Sequence, residues 1–65
     1  MREQLFNVRF HNKRTNYQIY LLVWGVDAMD VIQQLQPVIG PGAEYALDSL
    51  AAHTVDGKPM YRAAE

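Results

Sequence analysis

Between Phe6 and His11 the chain alternates strictly, with Phe6, Val8 and Phe10 on one side and Asn7, Arg9 and His11 on the other. A period of two marks a strand with one buried face. The polar run Asn12-Lys13-Arg14-Thr15-Asn16 separates it from a second stretch, Tyr17 to Trp24, rich in β-branched and aromatic residues. Folding the chain so that paired residue numbers sum to 27 sets Phe6 opposite Leu21, Val8 opposite Ile19 and Phe10 opposite Tyr17. Each pair then shares a face, as a register chosen by a buried face requires. The pattern predicts a β-hairpin.

From residue 28 the period lengthens. Ala28, Val31, Ile32 and Leu35 form an apolar stripe at helical spacing, with Gln33, Gln34 and Gln36 outside it. Asp27 is a natural N-cap, Asp30 suits the positive end of the helix dipole, and Val26 and Val31 have the spacing of a hydrophobic staple. Pro37 has no amide hydrogen and disfavours helical geometry at Gln36, so the regular helix should stop or distort there. Val38 and Ile39 should still pack inward before Gly40-Pro41-Gly42 turns the chain.

Residues 43–55 admit two readings. As a helix, Ala46, Leu47, Leu50 and Ala51 share a face; as a strand, Tyr45, Leu47, Ser49 and Ala51 do. A lone hairpin needs a further partner, and Asp56-Gly57, flanked by Thr54-Val55 and Met60-Tyr61, is a hairpin turn signal, so the strand is preferred. Pro59 would confine a short last strand to an edge. A right-handed crossover through the helix places the third strand parallel to the second and beside the first. The fold expected is α+β: a small ββαβ domain with strand order 2-1-3 and antiparallel pairing, one helix on one face, and a short C-terminal hairpin.

Composition narrows the class. A chain of 65 residues makes a single domain, residues 1–65, and a domain of that size buries only about 60% of its unfolded surface. Such domains often rely on disulfides, a structural metal or oligomerisation. There is no cysteine, which removes disulfides and thiol chemistry. His11 and His53 stand 42 residues apart with no spacing that suggests a metal site. No metal or other cofactor is expected, which leaves oligomerisation or a partner as the support. The longest apolar run, Ile19 to Trp24, is far too short to span a bilayer, and Met1-Arg2-Glu3-Gln4 does not open a signal peptide. A cytoplasmic location with no membrane partner is the expectation.

The net charge of −1 divides into +3 over residues 1–26 and −4 over residues 27–65. A duplex-DNA binder would be more basic and a DNA mimic far more acidic.

Most candidate chemistry has an ordinary explanation. The Lys13-Arg14 loop suits an anionic partner but also a solvated hairpin tip. His11 and His53 are isolated in sequence from any Ser, Cys or carboxylate arranged as a triad or dyad, and Gly40-Pro41-Gly42 follows a helix and lacks the Lys-Ser/Thr of a phosphate loop. Asp27 and Asp30 are accounted for by capping. No catalytic residue is identified.

The outer face of the hairpin is different. It carries Leu5, Asn7, Arg9 and His11 on the first strand and Gln18, Tyr20, Leu22 and Trp24 on the second. One helix cannot cover both sheet faces. Either residues 43–65 wrap round with Met60 and Tyr61 as cover, or Leu5, Tyr20, Leu22 and Trp24 are exposed for contact. The reading preferred is a non-enzymatic protein-interaction module, of the adaptor or inhibitor type that phages and plasmids carry. It would bind another protein or a second copy of itself through Leu5, Arg9, Lys13, Arg14, Tyr20, Leu22 and Trp24. The alternative is single-stranded nucleic-acid binding, with Tyr20 and Trp24 stacking bases and Arg9, Lys13 and Arg14 holding phosphates.

Overall fold

The computed structural model describes residues 1–63. Arg2–Asn12 form strand β1 and Gln18–Gly25 form β2, paired antiparallel, with Phe6, Val8 and Phe10 buried on the inner face. The register corrects the one expected: Phe6 faces Val23, Val8 faces Leu21 and Phe10 faces Ile19. A slip of two residues leaves every side chain on its own face, so the apolar pattern cannot distinguish the two registers. The loop does. Asn12 Oδ1 accepts from the N–H groups of Arg14 and Thr15 at 2.9 and 3.1 Å, and the Asn12 N–H donates to the Tyr17 carbonyl at 2.9 Å. Asn16 takes the left-handed conformation, φ 62°, that this four-residue loop needs. The other register would require a two-residue turn through Lys13-Arg14, where the favoured turn types demand positive φ. Tyr17, expected opposite Phe10, is therefore exposed.

Helix α1, Ala28–Gln34, starts at the expected cap. Asp27 Oδ1 accepts from the Asp30 N–H at 2.8 Å, and Asp30 Oδ2 accepts from the Val26 N–H at 2.8 Å. Two amides at the helix start are thus satisfied by reciprocal carboxylates. Val31 and Leu35 are buried and Ile32 is half-buried, but Ala28 is exposed and does not join the stripe. The staple is also replaced. Val26 is exposed, and Val31 seats against Gly25, where an added Cβ would lie 2.6 Å from Val31 Cγ2. Leu35 leaves helical geometry at φ −92°, ψ 0°, and a short helix α2, Gln36–Ile39, follows with Pro37 in its first turn. Val38 and Ile39 pack on the core, as the sequence implied.

Strand β3, Tyr45–Ala52, pairs antiparallel with β1 to give the order β2-β1-β3 and so runs parallel to β2. Its alternation matches neither sequence pattern, because a bulge intervenes. Arg9 faces Ser49 while Phe10 faces Leu47, leaving Asp48 as an extra residue. Leu47 and Leu50 can then share the inner face although they are three apart. Phe6, Val8, Phe10, Val31 and Leu35 form the core, joined by half-buried residues that include Tyr45, Leu47 and Leu50. The Tyr45 ring meets Phe10 edge-on, with centroids 5.4 Å apart.

Asp56 and Gly57, at φ 52° and 77°, turn a small ribbon made of β4, Thr54–Val55, and β5, Lys58–Pro59. Pro59 closes this ribbon, and the last described strand, β6, Tyr61–Ala63, returns to pair with Arg2–Gln4 of β1. At the junction the Leu5 carbonyl accepts from His53 at 2.9 Å, and the Leu5 N–H donates to Met60 at 3.0 Å. One side of β1 is thus paired by β3 and β6, with the ribbon inserted between them.

Candidate interaction surface

The structure divides the outer-face residues. At the β6 end, Leu5 is buried outside the main core and Trp24, paired with it, is half-buried. The Arg62 guanidinium lies 4.6 Å from the Trp24 ring centroid, and Arg62 Nε donates to Glu3 at 2.9 Å. Arg2 covers Tyr61 in the same way, at 4.2 Å. The returning strand therefore brings cover to the Leu5–Trp24 end of the face through Arg62, whereas Tyr61, expected as cover, pairs with Gln4 and lies on the opposite face beside Arg2.

Tyr20 and Leu22 remain open, at 67% and 56% exposure. Arg9 lies between Tyr20 and Ser49, and Asn7 lies between Leu22 and Ala51. These side chains border a shallow depression of about 410 Å³ lined by Asn7, Arg9, Tyr20, Leu22 and Ser49 together with Val8 and Leu21. The Tyr20 hydroxyl donates to Gln18 Oε1 at 3.0 Å. Lys13 and Arg14 sit exposed at the hairpin tip, at the opposite end of the sheet from Trp24, and neither forms an ion pair among the described residues.

Both histidines have partners that sequence spacing did not reveal. His11 Nδ1 is 2.8 Å from Asp48 Oδ1, and His53 Nδ1 is 3.1 Å from Asn7 Oδ1. These contacts join residues 37 and 46 apart, and the first depends on the Asp48 bulge. Among the described residues no hydroxyl hydrogen-bonds either imidazole, and no three His, Asp or Glu side chains form a metal-ligand group. No described helix is long and apolar enough to cross a membrane.

The outward edge of β2 completes the surface. Because Asn12 bonds to Tyr17 and antiparallel pairs alternate, Gln18, Tyr20, Leu22 and Trp24 turn their backbone groups away from β1. Gln34 Nε2 donates to the Trp24 carbonyl at 2.9 Å. The backbone groups of Gln18, Tyr20 and Leu22 have no partner among the described residues. This edge has no charged residue, proline or bulge from Gln18 to Gly25, the usual protections of an exposed strand. The opposite side of the sheet is interrupted by the Asp48 bulge and the inserted ribbon. Leu21, on the inner face, is 42% exposed, so three consecutive large apolar residues are open along β2. No protein-family model, curated protein or solved structure matches this chain.

Proposed function

We propose that this chain is a non-enzymatic protein-interaction module of the cytoplasm that binds along the β2 side of its hairpin. The observation that supports it is the run Tyr20-Leu21-Leu22, exposed on both faces of a strand whose outward edge is unpaired. A partner strand added there gains main-chain hydrogen bonds, a recurrent recognition mode, while Tyr20 and Leu22 offer apolar anchors. Removing apolar surface from water is worth about 25 cal/mol per Å² before the costs of association. Arg9 and the Lys13-Arg14 tip add positive charge that speeds encounter with an acidic partner. Adaptors and inhibitors work in this way without chemistry of their own.

The single-strand reading has weaker support. Arg62 already occupies one face of the Trp24 ring, and the tip cations lie at the other end of the sheet. Affinity capture with the wild-type chain and with Leu22→Lys as baits tests the proposal. A protein, or untagged copies of the chain, should be retained by the first and lost with the second. Equal retention by both baits, or tight oligonucleotide binding that falls steeply with salt, would count against it.

A further inference from the structure

We infer that the occupant of the β2 edge is a second copy of this chain, paired antiparallel about a two-fold axis at Tyr20. This rests on the reading of β2 as the interaction edge and adds what binds there. With the axis perpendicular to the sheet, both copies keep the same face outward, so opposed residues must share parity. Setting Tyr20 opposite Tyr20 places Gln18 opposite Leu22 of the second copy. Every free N–H and C=O of Gln18, Tyr20 and Leu22 then finds a partner, and the Trp24 carbonyl, already bonded to Gln34, is not needed. A register two residues further toward Trp24 would set Gln18 against that occupied carbonyl.

The side chains agree with this register. On the outer face, the two Tyr20 side chains meet at the axis and each Leu22 lies opposite Gln18 of the second copy; on the inner face, Leu21 lies opposite Ile19 of the second copy. No charge lies within β2, so no like charges are opposed. Beyond the strands, Lys13 and Arg14 come alongside the helix start that carries Asp27 and Asp30 in the other copy. That complementarity occurs twice by symmetry and comes from one sequence, which favours a second copy over an unrelated strand. The need is also evident. The core cluster has only five buried side chains, with no cysteine and no metal-ligand group among the described residues. Association is the remaining support for so small a core.

Sedimentation velocity over a concentration series, combined with amide hydrogen exchange, tests the pairing. The wild-type chain should sediment as a dimer, with the Gln18, Tyr20 and Leu22 amides protected. Tyr20→Lys opposes two like charges at the axis and should weaken the dimer about 30-fold or more, the loss expected of an interface anchor. Leu22→Lys should do the same, and both should unprotect those amides while the Val8 and Val31 amides stay protected, which reports an intact fold. The double change Lys13→Glu and Arg14→Glu should weaken the dimer most at low salt. A wild-type chain that stays monomeric at about 100 μM, roughly the limit for a micromolar dimer, would overturn the inference. If capture of a different protein is still lost with Leu22→Lys, the interaction edge stands and only its occupant is wrong. A dimer that forms with the three edge amides unprotected would also overturn it.

Discussion

The Arg62 guanidinium lies over the Trp24 ring at 4.6 Å while its Nε reaches Glu3, so a residue near the C-terminus covers the end of the hairpin face. Arg62→Ala should redden and quench Trp24 fluorescence by opening the ring to water. Its cost to stability should be small, about 1 kcal/mol, because an exposed cation–π contact and a surface ion pair are each worth 1 kcal/mol or less. A chemical melt with fluorescence detection reads both. Unchanged emission would mean the ring is covered by something other than Arg62.

The observed register makes Tyr17 and Val8 opposites in consequence. Val8 and Leu35 are buried, and truncating either to Ala should destabilise the fold by about 2–4 kcal/mol. Tyr17 pairs with no core residue and is exposed, so Tyr17→Ala should cost less than about 0.5 kcal/mol. Under the register inferred from the apolar pattern, Tyr17 would face Phe10 and the change would be costly. Thermal melts of the three variants distinguish the two registers.

At the helix start, Asp27→Ala should cost about 1 kcal/mol through loss of the cap. Asp30→Ala should cost a similar amount, because its carboxylate accepts from the Val26 N–H and is not merely placed near a dipole. Gly25→Ala should be at least as harmful, about 1–3 kcal/mol, since its Cβ would collide with the fully buried Val31. Urea unfolding gives all three values. A silent Gly25→Ala would show that α1 can lift off the sheet at little cost.

The Asp48 bulge gives a prediction by deletion. Removing Asp48 leaves Leu47, Ser49 and Leu50 in regular in-out-in alternation against β1, so the chain should keep a cooperative melt while His11 loses its partner. Removing Leu50 deletes an inward side chain packed on the core and should abolish cooperative unfolding. Calorimetry of the two deletion variants tests whether the bulge is a local insertion in β3.

Short-range features of this protein were legible in its sequence because they depend on residues a few positions apart. The inward face of Phe6, Val8 and Phe10 follows from alternation, the Asp27 cap from one carboxylate near exposed amides, and the Asp56-Gly57 turn from tolerance of positive φ. A break near Pro37 was legible, although it falls at Leu35 and Gln36, the residue expected to leave helical geometry, begins α2; the order β2-β1-β3 follows from crossover handedness. The rest was decided by contacts between distant segments. A two-residue slip keeps all faces unchanged, so only the Asn12–Tyr17 loop geometry selects the register. The Asp48 bulge resets the alternation of β3, which is why Leu47 and Leu50 looked helical and why His11 gains a carboxylate from 37 residues away. The interaction surface divides for the same reason. The hairpin alone offers Leu5, Tyr20, Leu22 and Trp24 as one patch, but Arg62 reaches Trp24 only because the backbone of Leu5 is satisfied by His53 and Met60, which steers β6 back along β1. Hydrogen-bond closure across more than fifty residues leaves Tyr20 and Leu22 open, and no local pattern encodes it.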